Sequence, residues 1–381
     1  MTVNVEFLDR EPIENVITAL NYEVDKTIFF GYRNVVDEWK KATESFLKKH
    51  CGVKQIEFHV LPDDDLDKVV FGMRNVIEDE MKNSRRKPRI FFDVTGGESL
   101  IMVGFGILAA ELGLPIHMFD LPEGKLIEFS SDENIKISKV AKERKISLDL
   151  DMYIEMWGGE INKRLAKGAK NISAEYSENM GSLLRQVGFD WNFFCGVMSN
   201  FIPKESLTVS LNAKKLIQDL KQTPELTPGR FNEILDACEE AGFLKNVKHT
   251  DGRVAFTFVD DDIRRCICDP GSALEIYTRH CLETKGSDCR IGVHLDWDGV
   301  LHDRPGEDVL NEIDVLKLEG YVPTFVSCKN GKFNKSALYE LDAVAKKFGG
   351  KYAKKIIVAP QMKSKPDFMR AQEMGIEVWD G

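Results

Sequence analysis

Two acidic residues and a lysine occupy neighbouring apolar segments near the end of this 381-residue chain. Glu312 and Asp314 alternate within Asn-Glu-Ile-Asp-Val, and Ser327 and Lys329 alternate within the next apolar segment. Because a strand turns alternate side chains to opposite faces, each pair points to one face. Carboxylates that hold Mg²⁺ or Mn²⁺, with a lysine beside them, suit metal-assisted hydrolysis of a phosphodiester. A partly buried ion pair between Asp314 and Lys329 fits the same residues, and such pairs are common.

The charge of the surrounding sequence helps to decide between a hydrolytic site and a simple ion pair. Residues 329–370 contain 11 Lys or Arg and three Asp or Glu, a local charge of +8, whereas the whole chain has 52 Lys+Arg, 62 Asp+Glu and a net charge of −10. Glu275, on a predicted helix ahead of the strands, offers a further carboxylate. A basic face of this kind suits a polyanion threaded past the strand ends. A solvated helix face has the same composition, so charge alone leaves both interpretations open.

A second candidate site is the loop Asp-Val-Thr-Gly-Gly-Glu-Ser over residues 93–99, between an apolar strand and an apolar helix. Its glycines permit close backbone approach to a ligand, and its free N–H groups with the helix N-terminus favour an anion. The candidate contacts are Thr95, Gly96, Gly97 and Glu98. The loop is neither GxGxxG nor GxxxxGK[ST], which argues against NAD and Walker-type ATP sites. A Thr N-cap followed by a tight turn is the structural alternative.

Two other predicted strand ends fall on the same rim as this loop. Asp9 and Arg10 follow the first strand, and Gly31 and Tyr32 follow the second. In a parallel sheet, ligands bind outside the carboxyl ends of the strands. Arg10 supplies a fork of donors and Tyr32 a face on which a base can stack, so the rim is expected to bind a nucleotide-like anion.

Strand and helix patterns alternate through the first 130 residues. Strands are predicted over 3–8, 27–30, 56–61, 89–94 and 116–121, and helices over 13–20, 35–50, 66–81 and 100–112. Near-continuous apolar strands joined by helices predict a parallel sheet covered on both faces, hence a Rossmann-like α/β domain. A turn at residues 122–124 leads into 125–129, which we expect to form an antiparallel edge hairpin.

The pattern changes in the middle of the chain. Residues 131–170 form a Lys- and Glu-rich exit segment, followed by predicted helices over 177–187, 211–220 and 231–241 and two strands around an Asp-Gly turn at 249–253. This order predicts a winged-helix-like module. Its helices carry few clustered basic residues, which favours a connector over a DNA-binding role.

The last part of the chain predicts a mixed-sheet α/β unit and not a second doubly wound domain. Its elements are a helix over 273–284, strands over 288–295, 310–316 and 322–328, a helix over 335–348 and a strand over 355–358. We therefore expect three domains, at residues 1–150, 151–268 and 269–381.

Composition excludes several classes of protein. A hydrophobic content of 43 % and a charged content of 30 % are those of a folded chain, not a disordered one. The longest apolar run, 101–114, is too short to span a bilayer, and the N-terminus lacks a signal-peptide pattern, so a cytoplasmic protein is predicted. The eight cysteines include no CxxC pair, which indicates reduced thiols and not a zinc site.

On these motifs the chain resembles the CRISPR-associated ancillary nucleases, which join an N-terminal CARF domain to a C-terminal PD-(D/E)xK restriction-endonuclease-like domain. The most specific parts of the resemblance are the 93–99 loop, the 311–315 strand and the 325–329 strand end. The resemblance implies a homodimer whose CARF domains bind a cyclic oligoadenylate, typically cyclic tetra-adenylate. Binding would activate a Mn²⁺- or Mg²⁺-dependent nuclease that cuts single-stranded RNA, DNA or both in type III CRISPR antiviral defence.

The resemblance also implies roles for single residues. Thr95, Gly96 and Gly97 match the ring-binding loop, and the helix Glu, the strand Asp and the motif Lys fall on Glu275, Asp314 and Lys329.

The carboxylate of the (D/E)xK motif, however, falls on Ser327, a weak metal ligand. We expect Glu312 to take its place and the backbone carbonyl of Cys328 to complete the metal sphere. The rival hypothesis is a nucleotide-sensing transcription regulator that binds DNA through the central module and has an inactive C-terminal domain.

Overall fold

The chain folds as two compact α/β units in a computed structural model. One unit comprises Met1–Glu160 with Gly320–Val322, and the other comprises Ile161–Glu319 with Pro323–Gly381. The division into three domains predicted above stays a prediction. The structure describes residues 1–62, 65–83, 87–129, 142–165, 172–202, 206–220, 225–250, 252–302, 308–331, 333–360 and 364–380.

The first unit is built on a six-stranded sheet. Its strands are β1 (Thr2–Phe7), β2 (Lys26–Gly31), β3 (Gln55–Val60), β4 (Arg89–Asp93), β5 (Ile116–Asp120) and β6 (Lys125–Phe129). The sheet order is β3-β2-β1-β4-β5-β6, parallel throughout except for the antiparallel β5–β6 edge. This is the order of a doubly wound sheet. The predicted Rossmann-like fold and its edge hairpin are confirmed.

Helices cover this sheet. They are α1 (Ile17–Asn21), α2 (Arg33–Cys51), α3 (Leu66–Asn83), α4 (Ser99–Leu112) and α5 (Leu150–Met156). The helix predicted over 13–20 begins only at Ile17. The reason is that the Asn15 side chain accepts a 2.8 Å bond from the Asp9 N–H and donates a 2.8 Å bond to the Asp9 carbonyl, which holds this stretch in turns. In the predicted exit segment, residues 131–141 and 166–170 lie outside the described residues.

The second unit begins at Ile161, in the short strand β7 (Glu160–Ile161), and continues with the predicted winged-helix-like module. Its elements are α6 (Ala174–Val187), α7 (Asp190–Phe201), β8 (Thr208–Asn212), α8 (Ala213–Leu220), α9 (Pro228–Glu240), β9 (Leu244–His249), β10 (Arg253–Phe258) and α10 (Asp261–Ile267). The three strands form an antiparallel sheet in the order β8-β10-β9. The helix predicted over 211–220 was wrong at its start, because 208–212 alternate exposed and buried residues as a strand does. Asp251, in the predicted turn, lies outside the described residues.

A mixed sheet completes the second unit. The new elements are α11 (Ser272–Leu282), β11 (Asp288–Asp296), β12 (Leu310–Glu319), β13 (Val322–Cys328), α12 (Ser336–Gly349), β14 (Lys354–Val358), α13 (Lys365–Glu373) and β15 (Glu377–Trp379). The sheet order is β15-β14-β13-β12-β11-β7, with β11–β12 antiparallel and β13–β14–β15 parallel. The sequence missed α13 and β15, because α13 is mostly polar and β15 has only three residues. Among the described residues, no helix is long and apolar enough to cross a membrane.

Candidate functional site

The strand pair β12–β13 brings Asp314 and Lys329 together, as their spacing predicted. Asp314 lies inside β12, and β13 ends beside it at Cys328. Three donors reach the same Asp314 oxygen, Oδ2: the Ser327 hydroxyl at 3.1 Å, the Cys328 N–H at 2.6 Å and the Lys329 ammonium at 3.2 Å. The Asp314 carboxylate is therefore fixed in orientation by the end of the neighbouring strand.

These residues face a depression of about 210 Å³, which we call the Asp314 depression. Glu312, Ser327 and Lys329 line it with Asp314, so the predicted common face exists. Glu340 of α12 also lines it and accepts a 3.4 Å bond from the Asn311 amide. Sequence reasoning missed Glu340, for which the only signal was its position beside the buried Leu341 on an amphipathic helix.

Glu275 lies within electrostatic range of this depression. Burial raises the pKa of its carboxyl to about 8, and the carboxylates of Asp314, Asp269 and Glu312 add to the rise. Sequence reasoning missed Asp269, which accepts bonds from the Gly271 N–H at 3.1 Å and the Ser272 hydroxyl at 2.9 Å at the start of α11. The start of α11 thus adds an acidic side chain beside the strand carboxylates, and a bound cation would offset the like charges that help to raise its pKa.

The fit of a divalent metal can be judged from these donors. Across the ranges that the structure describes, no three His, Cys, Asp or Glu side chains stand close enough together to hold a metal. The chemistry of the donor set nevertheless suits Mg²⁺ or Mn²⁺, which take carboxylate oxygens. The three hydrogen bonds to Asp314 all reach Oδ2, which leaves Oδ1 for a further contact. Burial holds the pKa of the Cys328 thiol well above its usual value, so any contribution of this residue would come from its backbone carbonyl.

Two residues of β11 also flank the site and were not predicted. His294 pairs with Glu312 across the strands, with 3.8 Å between Nε2 and Oε1, and is only 9 % exposed. Gly292 has a φ of +56° between the ladder pairs Ile291–Val315 and Val293–Ile313, opposite Asp314. This left-handed conformation is one that glycine adopts without strain.

The 93–99 loop of the first unit is anchored from beneath by Asp93. Asp93 is buried and accepts from the Thr95 N–H at 2.8 Å and the Thr18 hydroxyl at 2.6 Å, with His117 Nε2 at 3.1 Å. Burial alone would raise the pKa of Asp93, but these three partners hold it below its usual value. The loop therefore starts from a fixed, charged base.

Thr95 does not cap the following helix, so the structural alternative for this residue was wrong. Its hydroxyl oxygen accepts a 2.8 Å bond from the Phe119 N–H of β5, and the residue before α4 is Glu98, without a side-chain cap. Because that oxygen already accepts a bond, the Thr95 hydroxyl proton remains available to a ligand.

The two loop glycines are required by packing. Gly97 has a φ of +134°, and a side chain there would press on Met102 and lie 3.2 Å from the Phe7 Cβ. A side chain at Gly96 would press on the Glu14 side chain, with Cβ atoms 2.9 Å apart.

The other predicted rim residues lie at the same edge of the sheet. The strands β2, β1 and β4 are parallel neighbours, so their carboxyl ends meet. Arg10 is exposed, and Asp9 accepts a 3.1 Å bond from the Glu11 N–H. Tyr32 is half-buried with its ring edge-on to Phe7, and a side chain at Gly31 would lie 3.1 Å from Val36. The topology thus brings together the three segments that the sequence singled out.

Comparison with known proteins bears on both sites. Residues 261–380 match the family described as Card1-like, endonuclease domain, and this segment contains the whole Asp314 depression. The chain resembles the CRISPR-associated ancillary nucleases. No curated protein matches its sequence.

Two solved structures share the fold over nearly the whole chain. Protein VC1899 from Vibrio cholerae is 16 % identical, with a TM-score of 0.72, and the match covers 99 % of this chain and 93 % of that one. Can2 from Sulfobacillus thermosulfidooxidans, solved in complex with cyclic tetra-adenylate, is 15 % identical, with a TM-score of 0.65 and the same two coverages, 99 % and 93 %. At these identities the likeness establishes the fold alone.

Proposed function

We propose that this protein is a metal-dependent endonuclease that cyclic oligoadenylate activates, acting on single-stranded RNA or DNA in the cytoplasm as part of type III CRISPR antiviral defence. In this proposal residues 1–150 form a CARF domain, 151–268 a connector and 269–381 a PD-(D/E)xK nuclease domain. One observation carries it: the match to an endonuclease family falls on the segment where Asp314, Glu312 and Lys329 converge on one depression.

The roles of the catalytic residues follow from their contacts. A bound Mg²⁺ or Mn²⁺ ion would acidify a water molecule and neutralise charge on the phosphate. Asp314, fixed through Oδ2, would present Oδ1 to the metal, with Glu312, Glu275 and the Cys328 carbonyl as further donors. Lys329, held at 3.2 Å from Asp314, would bind a phosphate oxygen or orient the attacking water.

The activator would bind on the rim of the first sheet. The Thr95 hydroxyl and the backbone N–H groups of Gly96 and Gly97 supply donors for phosphates, and Glu98 lies at the start of α4. Arg10 adds a cation and Tyr32 an aromatic face, while Asp9 and Gly31 shape the strand ends. Can2, which shares the fold, was solved with cyclic tetra-adenylate, and we propose the same ring size here.

A homodimer would complete this ligand site. A ring of four identical nucleotides has two-fold symmetry, so two identical loops can bind it from opposite sides. The helix α4, which follows the loop, exposes Val103 (53 %) and Ile107 (38 %), and α3, packed against it, exposes Phe71 (63 %). Exposed apolar side chains on neighbouring helices mark a surface suited to a second copy of the chain.

The charge of the central module argues against the DNA-binding regulator. In a winged helix the second helix of the pair enters the DNA groove, and here that helix is α9. Its exposed acidic residues are Glu233, Asp236, Glu239 and Glu240. Its single basic residue, Arg230, is paired with Asp190 at 2.7 Å. Phosphates would be repelled by this face, which supports the connector role.

The experiment that tests the proposal is a cleavage assay on single- and double-stranded RNA and DNA. Each substrate is incubated with Mn²⁺ or Mg²⁺, with or without cyclic oligoadenylates, and with EDTA as the control. A regulator would bind duplex DNA and cut nothing.

A further inference from the structure

The second unit contains another cavity, of about 200 Å³, which we call the Tyr277 cavity. Its walls are mostly apolar, with three polar side chains among them. The lining residues that matter here are Leu184, Arg185, Leu274, Tyr277, Asn330 and Asp380. Apolar walls with a few converging polar groups are typical of a ligand site. The volume is below the ~300–1,000 Å³ of drug-sized pockets, so it suits one small ring system.

Tyr277 is held in a fixed orientation from α6. The bare backbone of Gly181 lies directly against the Tyr277 ring, and any side chain at that position would collide with it. One helical turn further on, the Arg185 guanidinium lies over the ring at 5.3 Å from its centroid and donates a 2.9 Å bond to the tyrosine hydroxyl. A pre-oriented aromatic ring with an arginine beside it is a platform on which a nucleobase can stack.

The Tyr277 cavity and the Asp314 depression lie at the same end of the sheet but on opposite faces, because Leu274 packs with Val315, whose side chain points away from that of Asp314. Leu274 precedes Glu275 on α11, and Asn330 follows Lys329 at the end of β13. Both β13 and its parallel neighbour β14 run towards this edge of the sheet. A single strand that crosses this edge of the sheet would present a phosphodiester to Asp314 on one face and a nearby base to the cavity on the other.

Polar groups of the cavity can recognise the edge of a base. The Asn330 amide nitrogen donates to the Asn192 oxygen at 3.2 Å, while the Asn192 amide donates to the Asn330 carbonyl at 2.6 Å. This reciprocal pair fixes the Asn330 side chain and leaves its amide oxygen as an acceptor. Arg185 supplies donors and Asp380 a second acceptor, the groups needed to bind exocyclic amines and carbonyls of a base.

We propose that the Tyr277 cavity binds one nucleobase of a single-stranded nucleic acid whose phosphodiester is held at Asp314, across the edge of the sheet. The inference deepens the proposed nuclease function and rests on it for the location of the reacting bond. DNA and RNA share the stacking chemistry, so both are tested.

Binding is measured on the full-length protein in EDTA, so that no cleavage interferes. The probes are single-stranded RNA and DNA hexamers that carry one 2-aminopurine, whose fluorescence falls when it stacks. Tyr277→Ala is expected to weaken binding by about fivefold or more and to abolish the quenching. Tyr277→Phe, which keeps the ring, should retain both.

Arg185 provides a second variant whose exposed side chain can be removed without disturbing the fold. Arg185→Ala should weaken binding several-fold. Arg265→Ala is its charge-matched control, because Arg265 is exposed, pairs with Asp261 at 2.8 Å and does not line the cavity. The control should bind like the parent.

The outcomes separate this inference from the proposed function. Suppose that the parent binds the hexamers with quenching that depends on Tyr277 but cuts nothing under any combination of metal and ring. The proposal of a nucleobase site then stands, and the proposed nuclease function is wrong. Suppose instead that the parent cuts nucleic acid, and that Tyr277→Ala and Arg185→Ala bind both hexamers as the parent does. The nucleobase site is then wrong, and the proposed nuclease function stands. A parent that binds neither hexamer, or binds without quenching, also overturns the inference.

Discussion

The Lys329 ammonium lies 3.2 Å from Oδ2 of Asp314, the oxygen that also accepts the Cys328 N–H at 2.6 Å. The Asp314 side chain is 16 % exposed and that of Lys329 is 39 % exposed. The more buried carboxylate therefore anchors the lysine, and the lysine reaches the solvent-accessible part of the depression. The backbone N–H and the Ser327 hydroxyl add two donors from the neighbouring strand to this ion pair.

Asp314→Ala should reduce cleavage by roughly a thousandfold or more, because the variant loses the fixed metal-binding oxygen and the anchor of Lys329. Ring binding should not change, since the 93–99 loop belongs to the other unit. Asp342→Ala is the matched control, because Asp342 pairs with Lys346 and Lys355, each at 2.7 Å, and does not line the depression. Full activity of Asp314→Ala, in a preparation free of contaminating nuclease, would refute the assignment.

Glu312 and Ser327 compete for the role of the missing motif carboxylate. We expect Glu312→Ala to lose most activity, on the order of a hundredfold, and Ser327→Ala to stay within a few-fold of the parent, because a carboxylate is the stronger ligand for Mg²⁺ or Mn²⁺. Cleavage rates against metal concentration measure both. Normal cutting by Glu312→Ala would show that Ser327 or water fills that position.

Glu275 predicts a dependence of stability on pH. Burial and neighbouring carboxylates raise its pKa from 4.5 to about 8. Between these values the folded protein keeps a proton that the unfolded chain has released, so this residue lowers the free energy of unfolding as the pH rises towards 8. Glu275→Gln removes the titration. In EDTA, its melting temperature relative to the parent should therefore increase from pH 5 to pH 8, and a difference that is constant with pH would contradict the assignment.

Thr95 is the cleanest test of the ligand loop. Gly97→Val would strain the loop through Met102 whatever the ligand, so its loss of function would be uninformative. Thr95→Val keeps the size of the side chain and removes the hydroxyl, and we expect ring affinity to fall about tenfold by calorimetry. Because the Phe119 N–H also loses its partner, the melting temperature is measured beside the affinity. Thr95→Ser should bind as the parent does. Equal affinities for all three proteins would place the ligand elsewhere.

The parts of the fold that the sequence predicted well are those with strong local patterns. The predicted bounds of the strands in the first sheet lie within about two residues of the observed bounds, because near-continuous apolar runs mark buried parallel strands. The predicted start of α1 was wrong, because the helix begins only after the Asn15–Asp9 hydrogen bonds, and these depend on side-chain geometry. The strand β8 was not predicted, because its five alternating residues are followed directly by α8.

Some residues of the candidate site were likewise predicted by local patterns, and others were not. Alternation along two adjacent strands was enough to predict that Asp314 and Lys329 meet. The contributions of Glu340 and His294 depend on how α12 and β11 pack against those strands, which no local pattern encodes. The requirement for Gly96 and Gly97 was predicted, but its structural cause is packing against Glu14 and Met102.

Ring-dependent cleavage tests the central claim most directly. Initial rates are measured on single-stranded RNA and DNA with Mn²⁺, with and without cyclic tetra-adenylate, for the parent and Asp314→Ala. We predict that the parent cuts at least one substrate, that cutting requires both ring and metal, and that Asp314→Ala does not cut. A parent that cuts neither substrate with ring and metal present, or cuts equally well without the ring, would contradict a ring-activated nuclease.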